Sequence, residues 1–363
     1  MRRKELPVEG TDRVGGAISV LQRKMERKDL LRRFMPTPHS VNLLVMARTV
    51  RLESNSPALI ESALEFFSRH QGPPPGDPEF LWRIISEQDS QIEYAGVPLS
   101  AFSDGGLRFA NLGRGGFLAV DLEAREGIGF VGERLVESEP TLHCRSIFDT
   151  LLCLSTGSLG MVPLAAACVG KEDKGLLLFG PPNSGKTTVS YLAAKHGLEF
   201  HADHAAFLEM EAGGLRVWGD LLPAIFRPES LQFLPELKAA TRRFSYPGLT
   251  VCYLPKSPFQ ALKAHSVDPI CCVFLERQAA TVPTVSPMAR FDFSRRLSEC
   301  MLFREDCLAQ QSAMMFDALE KLPAYRLAYG SDPAAAVPLV LRMLVDDDLQ
   351  QPQIRANALM TRI

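Results

Sequence analysis

Leu176-Leu-Leu-Phe-Gly180-Pro181-Pro182-Asn183-Ser184-Gly185-Lys186-Thr187-Thr188 is the stretch on which the reading of this chain turns. A short apolar run leads into Gly180, four residues intervene, and Gly185, Lys186 and Thr187 complete a P-loop pattern. Each position has a chemical reason. The glycines let the backbone wrap its N–H groups around phosphate oxygens, Lys186 neutralises the outer phosphates, and the Thr187 hydroxyl can ligate Mg2+. Pro181, Pro182, Asn183 and Ser184 make the loop, and Thr188 continues into a helix. Both flanks suit the motif. Residues 176–179 read as a buried strand and 187–196 as a helix stopped by Gly197, so the loop opens a helix whose N-terminal dipole favours phosphate.

The rest of the composition narrows the setting. A length of 363 residues suits about two domains with a sizeable core. A formal net charge of −2 gives no general case for nucleic acid or an anionic membrane as partner. The eight cysteines form no CxxC pair and no zinc-type set with histidine, so reduced, buried thiols are expected. The N-terminal residues lack the apolar core of a signal peptide, and no run is long enough to span a bilayer. Cytoplasmic residence is the expectation.

Residues 1–36 form a basic segment in which Arg2, Arg3, Arg23, Lys24, Arg27, Lys28, Arg32 and Arg33 make a one-sign cluster. It reads as a solvated or loosely docked tail, or as a partner-binding or membrane-surface amphipathic helix over 14–35. Residues 37–145 read as an α+β domain: strands at 41–47 and 49–52, a helix from Pro57 to Arg69 with Ser56 as N-cap, then β-like runs at 80–86, 91–99, 107–112, 116–122 and 127–136. That spacing predicts a mostly antiparallel sheet. Residues 146–345 read as the nucleotide-binding α/β domain, and 346–363 as a polar tail. Within the second domain the patterns predict a helix at 146–155, a buried strand at 161–169, and a strand at 198–210 carrying Asp203 and His204 near its middle. They further predict a helix at 229–240, a strand at 269–275, a long helix at 294–322, a strand at 325–329 and a helix at 334–345.

A P-loop alone indicates a nucleoside triphosphate without naming the reaction. Asp203 lies sixteen residues after Thr187, just past the loop's helix, where a carboxylate can face the γ-phosphate. Glu276, at the end of the apolar run 270–275, fits loosely the acidic residue that holds Mg2+ through water, and fits equally a surface glutamate after any core strand. Alternation would set His201 and Asp203 on one strand face and His204 on the other. Arg227 is either a phosphate or substrate clamp or a surface charge.

The run from Gly175 to Thr188, followed by Lys195-His-Gly-Leu-Glu-Phe-His-Ala-Asp-His204, resembles the core of the HPr kinase/phosphorylase family, whose fold is similar to that of phosphoenolpyruvate carboxykinase. The resemblance spans roughly residues 160 to 345 and is specific only over 175–204. It implies phosphoryl transfer from ATP with Mg2+ to a hydroxyl, typically a serine of a protein or peptide. In that light Lys186 and Asp203 are the catalytic candidates, with Asp203 taking the proton of the attacking hydroxyl, and His204 and Arg227 are substrate candidates. The family's strand carries Ala-Asp-Asp or Ser-Asp-Asp, and here His204 replaces the second aspartate. Histidine is a poor ligand for a hard cation, which leaves a different metal geometry or a nucleotide-binding pseudokinase open. The glycine-rich signature of protein recognition has no clear copy, which argues against HPr itself as acceptor. The expected activity is a cytoplasmic ATP-dependent kinase, as a monomer or homo-oligomer. The alternatives are a partner module that binds nucleotide without transfer, or an ATPase or GTPase switch using Glu276.

Overall fold

In the computed structural model, residues 35–67, 73–87, 100–112, 116–133, 140–219, 224–246, 249–253, 266–279, 282–301 and 309–345 are described, and every statement of structure below concerns them. The first seven strands, β1 (His39–Val45), β2 (Arg48–Ser54), β3 (Phe80–Glu87), β4 (Ser100–Asp104), β5 (Leu107–Asn111), β6 (Gly116–Asp121) and β7 (Glu126–Gly132), form one sheet in the order β1-β2-β3-β7-β6-β5-β4. Only the β2–β3 and β3–β7 pairings are parallel, which matches the antiparallel bias expected from the spacing. The β1–β2 hairpin turns on Met46 and Ala47, both at positive φ (48° and 63°). Two-residue hairpins favour such turns because their twist matches that of the strands. Met46 offsets the backbone cost by burying its whole side chain in the core.

Helices α1 (Pro57–Phe67) and α2 (Pro140–Ser155) cover this sheet. Ile147, Phe148, Leu151 and Leu152 of α2 join Leu59 and Phe67 of α1 and Trp82, Leu118 and Val120 of the sheet in one core. Their spacing places them on one helix face. The expected boundary between residues 145 and 146 therefore falls inside a helix that packs on the first sheet.

The chain then runs through β8 (Met161–Leu164), β9 (Ala167–Lys171), β10 (Lys174–Phe179), α3 (Lys186–Lys195), β11 (Glu199–Ala202), β12 (Ala206–Glu211) and β13 (Gly214–Gly219). After β14 (Ile225–Phe226), β15 (Arg242–Tyr246) and β16 (Leu249–Tyr253) come β17 (Asp268–Arg277), β18 (Thr284–Pro287), α4 (Arg290–Glu299), α5 (Ala309–Leu319), β19 (Ala324–Tyr329) and α6 (Val337–Val345). A six-stranded sheet has the order β11-β9-β10-β17-β19-β18, and β13-β12-β8 form a small second sheet. Both faces of the six-stranded sheet are buried. Leu176 and Leu178 of β10 pack with α3 and α6, while Leu177 and Phe179 pack with α4, α5 and the small sheet. That two-sided burial explains the uninterrupted apolar run before the loop. The small sheet also faces the first core, to which Phe207 and Trp218 contribute.

Several expected elements are divided. Residues 161–169 split into β8 and β9, and 198–210 into β11 and β12, because at both places the chain passes from one sheet to another. Asp203 and His204 consequently lie in a bend after β11, not within a strand. The expected helix at 229–240 is two short 3-10 turns, Pro228–Gln232 and Pro235–Leu237. Pro235 lacks an N–H and pushes Leu234 out of the helical region, to φ −134° and ψ 58°. Arg242 and Arg243 then fall in β15 and do not cap a helix. The expected helix at 294–322 is interrupted where Met301 bridges to Leu164 and the Cys300 carbonyl accepts from the Ala165 N–H (2.7 Å). The runs 1–34, 91–99 and 346–363, and with them the basic segment and the C-terminal tail, lie outside the described residues.

Candidate functional site

Strand direction assembles the site. β17 runs parallel to β10, and β19 parallel to β17. β9 is antiparallel to β10 and β11 antiparallel to β9, so β11 also points the same way as β10. The carboxyl ends of β11, β10, β17 and β19 therefore lie along one edge of the sheet. That edge carries Asp203, the loop from Gly180 to Gly185, Glu276 with Arg277, and Tyr329. Open α/β sheets bind ligands in the crevice outside such strand ends. Asp203 does not sit on a strand adjacent to β10, since β9 lies between them.

The loop's backbone is built on glycine where only glycine fits. Gly180 has φ +148°, and an added Cβ would lie 2.5 Å from Ser184 Oγ and 2.9 Å from the Leu275 carbonyl oxygen. Gly185 has φ +92°, and an added Cβ would collide with the Tyr329 hydroxyl. Asn183 also takes a left-handed conformation, with φ 69°. Pro181, Pro182 and Asn183 are exposed, whereas Ser184 is buried and its hydroxyl has no hydrogen-bond partner among the described residues. A polar atom left in that state costs free energy unless something else satisfies it. Below the loop, the Tyr329 hydroxyl donates to the Ser184 carbonyl. Burial raises the Tyr329 pKa, and the hydrogen-bonded Arg277 guanidinium opposes the rise.

Gly185 is the N-cap of α3, and no side chain caps the helix. Its first turn carries no acidic residue. The first-turn N–H groups, which no helix satisfies internally, are thus neither capped nor neutralised by side chains, the arrangement that receives an anion. Lys186 folds back over the loop, and its Nζ donates to the Gly180 carbonyl (2.8 Å). Desolvation lowers its pKa, while the charge of Asp203 acts in the opposite direction and ties the two residues together electrostatically. Thr187 is half-buried and Thr188 buried, both in the first turn.

Asp203 is 4% exposed. Its Oδ2 accepts from the Ile225 N–H at 3.4 Å, which brings the start of β14 against the bend. His201 is fully buried, with Nε2 at 3.3 Å from Glu199 Oε2. His204 is exposed, so the bend separates the neighbours: the carboxylate turns inward and the imidazole outward. Arg227 is exposed and precedes the 3-10 turn at Pro228–Gln232.

Glu276 is not an isolated acid. Arg296 Nη1 of α4 lies 2.6 Å from its Oε1, and Arg326 Nε of β19 lies 3.4 Å from the same oxygen. Sequence reasoning passed over Arg277, Arg296, Arg326, Tyr329 and Cys300. Arg277 and Tyr329 end parallel strands, a signal legible once those strands are placed. Arg296 has no such signal, because it reaches the edge from a helix distant in sequence.

The donor set suits a nucleoside triphosphate with its metal. The uncapped helix start, the glycine positions, the buried Ser184 hydroxyl and Lys186 all belong to the one loop, and Thr187 in the first turn carries a hydroxyl. No group of three His, Cys, Asp or Glu side chains is placed to hold a metal ion by itself among the described residues. Nor is any helix among them long and apolar enough to cross a membrane. In comparisons with known proteins, no family model matches the chain and no curated protein matches its sequence.

Proposed function

We propose that the chain is an ATP-dependent kinase that moves the γ-phosphate to a hydroxyl, most simply a serine of a protein or peptide acceptor. The observation that carries this reading is the shared sheet edge on which the uncapped start of α3, Lys186 and the buried Asp203 meet. ATP with Mg2+ supplies the phosphoryl group. Gly180 to Thr188 hold its phosphates, with the backbone N–H groups of residues other than Pro181 and Pro182 as donors, Lys186 leaves its loop carbonyls to meet them, and Thr187 provides a metal ligand. Asp203 accepts the proton of the acceptor hydroxyl. Its burial beside Lys186 keeps the carboxylate oriented, and catalysis rests on positioning and charge. The reading agrees with the resemblance of residues 175–204 to the HPr kinase/phosphorylase family.

A second reading, nucleotide binding without transfer, draws on the exposed His204, which leaves Asp203 without an adjoining carboxylate to share a metal. A switch ATPase that uses Glu276 as its metal residue is disfavoured, because two guanidinium groups already occupy that carboxylate. The deciding experiment is γ-phosphate transfer from labelled ATP to peptides and proteins encoded beside the chain, run with wild type and Asp203→Asn. Loss of a general base predicts a fall of about 100- to 10,000-fold at unchanged ATP affinity. Equal transfer by both proteins would remove Asp203 from this role, and ATP binding without turnover on any acceptor would favour the second reading.

A further inference from the structure

The Glu276 cluster lies beside the loop without belonging to it. β10 and β17 are in parallel register, with Phe179 opposite Phe274, so the chain enters the loop where β17 reaches Leu275 and Glu276. An added Cβ on Gly180 would touch the Leu275 carbonyl, which places the backbone just before Glu276 against the loop's first residue. Two guanidinium groups converge on this one carboxylate. The cluster therefore keeps a formal charge of +1 at the loop's margin. Arg326 Nε is buried and makes no hydrogen bond among the described residues despite its ion pair.

α4 brings Arg296 against Glu276 at the loop's margin. The Cys300 thiol, at the C-cap of α4, donates to the Arg296 carbonyl at 3.3 Å. Burial raises the Cys300 pKa to about 11; the charge of Lys186 acts against that rise, Glu299 adds to it and Arg296 opposes it. A planar guanidinium matches phosphate oxygens as well as it matches a carboxylate, and it is always charged.

Resting on the reading of the loop as a nucleoside triphosphate site, we propose that Arg296 recognises the terminal phosphate, and that Glu276 holds it in reserve while that phosphate is absent. A γ-phosphate competes with Glu276 for the same guanidinium. Arg326 remains on Glu276 when Arg296 leaves, so the carboxylate is never stranded without a cation. The exchange makes Arg296 a residue that separates ATP from ADP and is indifferent to the first two phosphates.

The test is equilibrium titration of the full chain with the non-hydrolysable β,γ-imido analogue of ATP and with ADP, both with Mg2+, in wild type and four variants. In Arg296→Ala the preference for the triphosphate falls by about tenfold to a hundredfold, the worth of a charge-assisted hydrogen bond, while ADP affinity holds. Arg296→Lys keeps part of the preference. Glu276→Gln raises it, because Arg296 is no longer restrained. Arg295→Ala, which removes an exposed arginine paired with Glu299, leaves it unchanged. If Glu276 instead served as a metal ligand, Glu276→Gln would weaken triphosphate binding, and that result overturns the proposal. An Arg296→Ala protein that binds both nucleotides with the wild-type preference also overturns it and leaves the loop reading intact. Wild type binding neither nucleotide would end both. Should Arg296→Ala fold poorly, Arg296→Lys and Glu276→Gln still give opposed signs.

Discussion

The seven-stranded sheet and the loop edge of the six-stranded sheet treat buried polar groups in opposite ways. Under the first sheet most are matched locally, with Asp149 Oδ1 of α2 an exception among the described residues. Trp82 Nε1 donates to Ser155 Oγ (2.9 Å), Ser155 Oγ to the Leu151 carbonyl (2.7 Å), Thr49 Oγ1 to the Pro75 carbonyl (2.6 Å), and the fully buried Arg108 to the Leu154 carbonyl (3.0 Å). At the loop edge the Ser184 hydroxyl is buried without a partner among the described residues, Lys186 is desolvated, and a carboxylate is shared between two arginines. A region that serves packing closes most of its hydrogen bonds internally. A region that awaits a ligand leaves donors and charges unsettled, at some cost in stability.

The two regions should therefore fail differently. Trp82→Ala removes the largest fully buried side chain and should lower stability by about 3–5 kcal/mol, read by urea denaturation, while the folded fraction binds nucleotide as before. Lost affinity in that folded fraction would show that the first sheet shapes the site. Gly185→Ala should do the reverse in function. The left-handed conformation costs about 1–2 kcal/mol for a residue with a Cβ, and the methyl displaces Tyr329 from the Ser184 carbonyl, so nucleotide affinity should fall at least about tenfold. Unchanged affinity would mean that the loop geometry is incidental to binding.

The loop edge should also carry a pH signature that the first sheet lacks. Burial lowers the Lys186 pKa from 10.5, so the folded chain gives up that proton more readily than the unfolded chain. The charged lysine penalises the fold below its lowered pKa, and the penalty is relieved as pH rises toward 10.5. Wild type should then gain stability relative to Lys186→Met between neutral pH and pH 10.5, in paired denaturation curves. A constant difference would mean that Lys186 is not desolvated. A smaller effect is expected at Cys300. With its pKa near 11, alkylation should be slow at neutral pH and should accelerate only in strong alkali, whereas fast labelling near neutrality would show that the thiol is not buried against α4.

The sequence made the loop, its strand and its helix legible because those features are local: spacing, glycine and an apolar run. Asp203 was legible by its distance from Thr187. Alternation already set Asp203 and His204 on opposite sides, but the bend that holds them there was not legible, since it arises where the chain changes sheets and depends on the small sheet packing between two cores. For the same reason the helix at 140–155 gave no sign of which side it would join. Its apolar residues pack in the first core, a choice that tertiary packing decides. The pairing of Arg296 with Glu276 joins residues twenty apart through a helix and a strand end, and no short pattern encodes it.

The central claim is that residues 180–188 hold a nucleoside triphosphate. Calorimetric titration with ATP and Mg2+ tests it most directly, comparing wild type with Lys186→Ala at matched folded fractions. One nucleotide bound per wild-type chain, with affinity at least about a hundredfold weaker in Lys186→Ala, is the predicted result. Failure of wild type to bind, or equal affinity in the two proteins, would contradict it.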